Sequence, residues 1–420
     1  MRALLSLAWR SAWNRRFVLS LTVFSVTLSA FLLLSIERIR TDVRESFSQS
    51  VSGTDLIVGP RTGPAQLLLY AVFRIGSATN NMSYRSVLAL AKHRAVAWVV
   101  PISLGDSHRG FPVVATTTDY FDRFQYGDHQ GLRLAQGRRF DRLFDAVLGS
   151  DVAERLGYRV GTHIVLSHGD GSLEGNEHAD KPFVVTGILE PTGTPVDRSV
   201  HIGLQAMEAI HLDWIGGAPM PGFHIAPDEM SQQDLTPRAV TAVLVGLKSR
   251  AAVFSVQRWV ADYDQEALMG IMPGVTLDEL WQVVGIGERA LLAITALVSL
   301  VSVAGLVAVI LAGLNERRRE LAILRAVGAG PRYVWLLLAT EGALVTLLGA
   351  ALGLVTCLVG VVVLRPWFQQ RFGIVLHAGL PSADQWTMLS AVVLFGWLAS
   401  LLPGWRAFKL SLIDGLTPRI

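Results

Sequence analysis

Histidines and carboxylates gather in one stretch, HIVLSHGDGSLEGNEHADKPF, where His163, His168 and His178 stand among Asp170, Glu174, Glu177 and Asp180. Imidazole nitrogens together with carboxylate oxygens suit Zn²⁺ and related ions. His163, His168, His178 and Glu177 are therefore a candidate metal set. His163 and His168 flank a strand, and their odd spacing of five puts them on opposite faces. A loop would have to fold back to bring His168 and His178 together. The competing reading is a solvated polar hairpin loop. His201, His211 and His224 join such a group only if the fold carries them there.

Other chemistry is missing from the sequence. No G-x-x-x-x-G-K-[ST], G-x-S-x-G, H-E-x-x-H or Cys–His metal spacing occurs, so the chain carries neither a phosphate-binding loop nor a recognisable hydrolytic motif. The reading is of a non-enzyme that binds no cofactor for catalysis, and nothing in it points to nucleic acid. Any ATP and Mg²⁺ must be handled by another subunit. The single cysteine, Cys357, allows no disulfide within the chain.

One short charged segment is Asn315 to Tyr333, NERRRELAILRAVGAGPRY, with five arginines between two apolar runs. Leu321, Leu324 and Val327 recur at three-residue spacing, which predicts a short amphipathic helix. Gly328, Gly330 and Pro331 stop it. Its apolar stripe needs a partner. Glu341 is an ionisable residue inside the next apolar run and is a functional candidate on that ground; pairing with an arginine such as Arg332 is the structural alternative. Gly342, Gly349, Ala350, Gly353 and Gly360 follow at helical spacing, the way helices approach closely in lipid. A dimer seam and an intrachain packing face are both open uses.

These groups must be positioned by a chain of 420 residues that is 51% hydrophobic and only 17% charged. That balance predicts membrane spans plus a large soluble part, a contact with lipid bilayer rather than an all-soluble fold. Four apolar runs, Phe17 to Ile36, Ala290 to Leu314, Val334 to Leu364 and Trp386 to Leu402, are each compatible with the roughly 20 residues a spanning helix needs. The first is longer than the apolar core of a signal peptide and runs straight into Glu37-Arg38, so an uncleaved anchor is expected. Arg2, Arg10, Arg15 and Arg16, the arginines of the middle loop, and Arg406, Lys409 and Arg419 place both termini and that loop in the cytoplasm by the positive-inside rule. The segment between the first two spans then lies outside, in the periplasm of a Gram-negative cell whose inner membrane holds the protein.

The expected fold class is an α-helical membrane protein of four transmembrane helices, one plus three, with a large α+β periplasmic domain inserted between helices one and two. The boundaries read as a cytoplasmic amphipathic helix over 1–16, spans over 17–40, 286–314, 334–364 and 386–403, a coupling loop over 315–333, an outer loop over 365–385 and a tail over 404–420. Within the domain at 41–285, the stretches 41–137 and 236–285 read as a βαβ-type subdomain and 138–235 as a β-rich one. Gly59, Pro60, Gly63 and Pro64 predict a rigid turn, and a hairpin-like turn is expected at Gly105-Asp106. The apolar decapeptide Gln66 to Ile75 is too short to span a membrane, so it is either a buried core element or an exposed tip.

The run ERRRELAILRAVGA, the acid and small residues of EGALVTLLGAALGL, the tail PGWRAFKLSLIDGLTPRI and the external run VLGSDVAERLGYRVGTHIVL coincide with the one-plus-three layout. Together they resemble permease subunits of MacB/FtsX/LolC-type ABC transporters. Gly149, Ala153, Leu156 and Gly161 fill the family's G-x-x-x-A-x-x-L-x-x-x-x-G segment, while Gly404 and Ser411 depart from its usual alanine and proline. The resemblance implies a dimer of two permease chains, identical or different, on a dimer of cytoplasmic P-loop ATPases. It implies that Glu316 to Val327 is similar to a coupling helix, with Leu321 and Leu324 in the ATPase groove and Glu316, Arg317, Arg319, Glu320, Arg325 and Val327 around them. It implies mechanical transmission of ATP-driven closure to the external domain, for a lipoprotein, lipid, peptide or metal-linked cargo. The other reading is a transducer that regulates a periplasmic enzyme or binding protein and moves nothing.

Overall fold

The computed structural model describes residues 16–50, 52–169, 177–215, 218–219, 227–230, 233–316, 330–372 and 376–409. They fall into two compact units. One lies within Met1–Asp42, Gly285–Trp367 and Leu376–Ile420, the other within Val43–Val284 and Phe368–Val375. The expected amphipathic tail before Arg16 and nearly all of the coupling segment lie outside the described residues.

The chain begins with helix α1, Arg16–Gln49. The polar stretch after the apolar run continues the same helix. Strand β1 (Leu56–Pro60) follows and already contains Gly59 and Pro60, so the turn expected there starts later, before helix α2 (Pro64–Ala71). Pro60 fits a strand here because it closes β1 at the strand's end. Leu67, Leu68 and Tyr70 of α2 are buried, which makes the apolar decapeptide a core element.

The second unit is built on a twelve-stranded mixed sheet. After α3 (Tyr84–Ala91), β2 (Val96–Ser103) and β3 (Asp106–His108) each pair antiparallel with β4 (Phe111–Thr116). The expected hairpin at Gly105-Asp106 is instead two turns with the short strand β3 between them; Arg109 and Gly110 carry the second turn at positive φ. Helix α4 (Asp119–Arg123), strands β5 (Leu134–Gly137) and β6 (Asp145–Leu148), and helix α5 (Ser150–Leu156) come next. Then follow β7 (His163–Ile164), β8 (Ser167–His168), β9 (Phe183–Leu189), β10 (Val200–Gly203), α6 (Leu204–His211), β11 (Ala242–Leu247), α7 (Val253–Ala261) and β12 (Leu268–Ile271). The strand order is β7-β9-β6-β10-β4-β2-β11-β1-β12, with β5 on β9 and the β3–β8 pair beside β4. The expected boundary at 138 is not a break in this sheet: β10 lies parallel to β4, Val200 opposite Val113 and Gly203 opposite Thr116, so strands from both stretches share one ladder.

Both faces of the sheet are covered. Along the strands, Leu56 and Val58, Val113 and Ala115, Ala146 and Leu148, and Val243 and Val245 point into one core with α3, α5, α6 and α7. Ile57, Val114, Val147 and Leu244 point into the other with α2 and α4. This is the period of two expected of strands, and burial on both sides is why these strands read as continuous apolar runs. The family-like segment after β6 has a physical reason. A Cβ at Gly149, the residue before α5, would run into the backbone of Val196 and Asp197, and Gly161 sits at φ 93°. Neither position accepts an ordinary side chain.

The other long helices are α8 (Pro273–Glu316), α9 (Pro331–Phe372) and α10 (Ala383–Lys409), of which the first unit holds α8 from Gly285, α9 up to Trp367 and all of α10. Among the described residues, four segments are long and apolar enough to cross a membrane: Leu19–Gln49, Pro273–Ala312, Leu338–Phe368 and Ala383–Leu402. Helix α9 continues to Phe372, past the expected end at Leu364, with Pro366 inside it.

His201 of β10 is fully buried against Tyr120 and Phe121 of α4, at ring distances of 5.4 and 6.2 Å. Burial, and after it the Arg74 guanidinium, pushes its pKa down to about 3. The unfolded chain therefore binds a proton that the folded one refuses, and stability falls as pH drops below the ordinary histidine value. At pH 4.5 the loss is on the order of 2–3 kcal/mol. Thermal unfolding of the full-length chain in detergent at pH 7, 5.5 and 4.5 should show a smaller acid-induced drop for His201→Phe than for the wild type. Equal drops would remove His201 as the cause.

Candidate functional site

In the helical unit, the glycines of α9 mark where other helices come close. A Cβ at Gly349 would lie 2.7 Å from Val26 Cβ and 3.2 Å from the Val23 carbonyl; one at Gly353 would lie 2.6 Å from Ala30 Cβ and 2.9 Å from the Thr27 carbonyl. The four-residue step on α9 matches the step from Val26 to Ala30 on α1, so the two helices run parallel with backbone nearly against backbone. A Cβ at Gly342 would strike Ser400 of α10, and one at Gly396 would strike Thr346 of α9. Of the glycines singled out from the sequence, Gly342, Gly349 and Gly353 each lie against another helix of the same chain, and Gly360 meets only Phe31 Cε2 at 3.6 Å. Glu341, one residue before Gly342, is half-buried.

Helices α1 and α8 are joined by hydroxyls instead. Ser29 Oγ lies 2.6 Å from Ser299 Oγ, and Ser25 Oγ donates to Ser302 Oγ at 3.1 Å. Toward its C-terminal end α1 carries a polar clasp that sequence reasoning missed. Arg38, nearly buried, donates to the carbonyls of His377 and Gly379 and to Gln385, and Asp42 accepts from the His377 backbone at 3.1 Å. Its sequence signal was Glu37-Arg38 at the end of an apolar run, read only as a topological marker. Of the coupling residues, Arg317, Arg319, Glu320, Leu321, Leu324, Arg325 and Val327 lie outside the described residues, and Glu316 is the last residue of α8.

In the sheet unit, four titratable side chains converge. Strands β8 and β3 are antiparallel, with His168 opposite Asp106. The His178 backbone N–H donates to the Leu166 carbonyl at 2.8 Å, which sets His178 beside β8. His211 ends α6, and its Nδ1 lies 2.8 Å from the Met207 carbonyl one turn back, leaving Nε2 to face inward. Asp106, His168, His178 and His211 each offer a donor atom, all within 4.8 Å of one another. The sequence-predicted His168 and His178 are thus brought together, joined by His211 and by Asp106, which sequence reasoning had placed only in a turn. His163 and Glu177 are exposed and are not in this group.

The cluster is electrostatically tense. Burial would raise the Asp106 carboxyl, but hydrogen bonds from His168 and His211 and the charge of the histidines outweigh it and hold it at about 2. Burial drives His178 down to about 4 against the pull of Asp106. Burial also opposes charge on His211, yet Asp106 wins there and the pKa rises. Among the described residues, both ring nitrogens of His178 and Oδ2 of Asp106 are buried without a hydrogen-bond partner. Such atoms each cost about 1–3 kcal/mol.

Four spanning-length helices and a covered α+β sheet domain between the first two define a multi-pass membrane protein with a periplasmic or extracellular domain. A model of the MacB-like periplasmic core domain matches residues 19–263, and a model of the FtsX-like permease C-terminal region matches residues 292–412. The chain belongs to the family of FtsX-like permeases with a MacB-like periplasmic core domain, non-catalytic transmembrane subunits of ABC transporters that work with a partner ATPase. Among solved structures it is similar to the periplasmic region of MacB from Actinobacillus actinomycetemcomitans, at 12% identity over 57% of this chain and 97% of that one, with a TM-score of 0.35. It is also similar to the extracellular domain of the noncanonic ABC-type transporter YknZ from Gram-positive bacteria, at 14% identity over 52% of this chain and 99% of that one, with a TM-score of 0.30. No curated protein matches the chain.

The glycine seam can be tested by overpacking. Gly353→Val should destabilise the helical unit by about 1–3 kcal/mol, read as a lower melting temperature in detergent. Gly360→Ala is the control, because a Cβ there meets only Phe31 Cε2 at an ordinary 3.6 Å. If both variants melt alike, the close approach of α1 and α9 is not what holds them.

Proposed function

We propose that the chain transmits conformational work: ATP binding and hydrolysis in a separate pair of cytoplasmic P-loop ATPases drives a change in its external domain, for extraction or export of a cargo on the outer side. The observation that carries this is the pair of unbroken helices that bracket the sheet. Helix α1 runs from Arg16 to Gln49, and α8 begins two residues after β12 and ends at Glu316, the first residue of the coupling motif. A helix moves as one piece, so a displacement at one end is not absorbed by a flexible linker. ATP shifts the arrangement only if its binding favours one state over the other.

The amphipathic segment from Glu316, with Leu321, Leu324 and Val327 on its apolar stripe and Arg317, Arg319, Glu320 and Arg325 around it, is the docking element in this reading. ATP and Mg²⁺ bind the partner, not this chain. Two permease chains, identical copies in the simplest case, sit in a bacterial inner membrane with termini and docking loop in the cytoplasm. The cargo is a lipoprotein, lipid, peptide or metal-linked molecule taken up on the outer side. An FtsX-like transducer that regulates a periplasmic enzyme or binding protein is the second reading. The size of the external domain, a full twelve-stranded sheet, favours cargo handling.

Gentle detergent purification of the tagged chain from its own cells, followed by mass spectrometry, should recover a P-loop ATPase. Leu324→Asp places a charge on the apolar stripe and should remove that ATPase at least tenfold while leaving the chain's own yield unchanged. Absence of any ATPase from the wild-type eluate would sink the reading.

A further inference from the structure

We infer that Asp106, His168, His178 and His211 form a four-ligand site for a borderline divalent transition-metal ion, Zn²⁺ above all, in the external domain. The inference stands independently of the transport reading. It rests first on the spacing of the donor atoms. His168 Nδ1 lies 3.0 Å from His211 Nε2 and 3.1 Å from Asp106 Oδ1; His211 Nε2 lies 3.5 Å from the same oxygen, and His178 Nε2 lies 3.7 Å from Asp106 Oδ2. A tetrahedral zinc ion with bonds of about 2.0–2.1 Å sets its ligand atoms roughly 3.3–3.5 Å apart. The observed separations bracket that figure on three of the protein's elements and one loop.

A second, independent observation is what the cluster leaves unmet. The His178 side chain is fully buried, and neither of its ring nitrogens has a hydrogen-bond partner among the described residues; Asp106, with a fully buried side chain, has Oδ2 likewise unmet. Protons do not resolve this arrangement. His211 Nδ1 is committed to the Met207 carbonyl, so in the neutral ring its Nε2 presents a lone pair toward His168 Nδ1. One proton on His168 can serve either that nitrogen or Asp106, and none of this reaches His178 Nε2 or Asp106 Oδ2. A single dication accepts a lone pair from each of these groups at once.

The surroundings hold the donors in place as an outer shell does. The Met207 carbonyl fixes the ring of His211. Lys181, fully buried, donates to Asp213 at 2.5 Å and lies 3.3 Å from Asp180, while its backbone N–H donates to the His178 carbonyl at 3.0 Å. This ion pair ties the His178 turn to the segment just after His211. Trp214 covers His178, at a ring distance of 4.3 Å, and excludes water from that side. Three imidazoles and one carboxylate select zinc and its neighbours over Mg²⁺ and Ca²⁺, which take oxygen ligands. With four protein ligands the coordination is closed, as in structural sites. The ion would clamp the end of α6 to the β3–β8 pair and to the turn at His178.

The test uses the full-length chain in detergent, with any affinity tag removed, stripped with chelator, reloaded with ZnCl₂ alone and desalted. Metal analysis should find one Zn²⁺ retained per wild-type chain, with a melting temperature raised by zinc. His211→Gln and His168→Gln, at the more exposed edge of the cluster, should each bind Zn²⁺ at least tenfold more weakly and lose the thermal gain. His163→Gln should bind like the wild type. Circular dichroism and size exclusion confirm that the variants remain folded, and Co²⁺ in place of Zn²⁺ should give the intense visible absorption of a four-coordinate site in the wild type only. No retained zinc in the wild type, or zinc retained equally by His168→Gln and His211→Gln, would overturn the site.

Discussion

The helical unit depends on the absence of side chains where α1 and α9 meet. Between spans in lipid there is no hydrophobic force to draw helices together, since lipid tails are as apolar as leucine. What remains is close packing and hydrogen bonding. Gly349 and Gly353 supply the first, letting Val26 and Ala30 sit against backbone. Ser25, Ser29, Ser299 and Ser302 supply the second between α1 and α8. Helix α1 is therefore held on two sides by different means, and α9 is held in turn by α10 at Gly342 and Gly396. A shift of one helix must be passed to its neighbours, because close-packed contacts of this kind have little room to yield.

The external domain depends on a different constraint. A sheet buried on both faces must put apolar residues on both sides of every inner strand. β6 and β11 meet that demand with Ala146, Val147 and Leu148, and with Val243, Leu244 and Val245. Within this wall the exceptions carry information. His201 replaces an apolar residue on β10 and makes the sheet sensitive to acid. Asp106 sits at the start of β3, at the margin of the wall, where three histidines can reach it.

Much of the architecture was legible in the sequence because lipid and sheet burial both leave long-range signatures in composition. The four spans follow from apolar runs of sufficient length, and the packing glycines from their helical spacing. What was not legible depended on pairing. Nothing local says that β10 lies beside β4, so the one sheet read as two subdomains. Gly59 and Pro60 carry turn chemistry, yet the chain spends them at a strand's end. The histidine cluster was half visible: His168 and His178 share a stretch, but Asp106 enters only through the β3–β8 register and His211 only through the last turn of α6. His163, adjacent in sequence, belongs to β7 and is exposed.

Two buried charged groups side by side show how satisfied and unsatisfied burial differ. Lys181 and Asp213 are both nearly inaccessible, and each finds the other at hydrogen-bond distance. Such a pair is complete: removing either partner strands the other, but the pair itself asks for nothing more. Next to it, Asp106 and His178 are as deeply buried, yet an oxygen and two nitrogens face no partner. The same fold, over a few residues, satisfies one ionic group and leaves the adjacent one short of a cation. Native structures pair the great majority of their buried polar atoms; the described residues hold other exceptions, such as Ser150 Oγ and Trp281 Nε1, but at Asp106 and His178 the unpartnered atoms converge with two further metal-type donors, and that convergence distinguishes the histidine cluster.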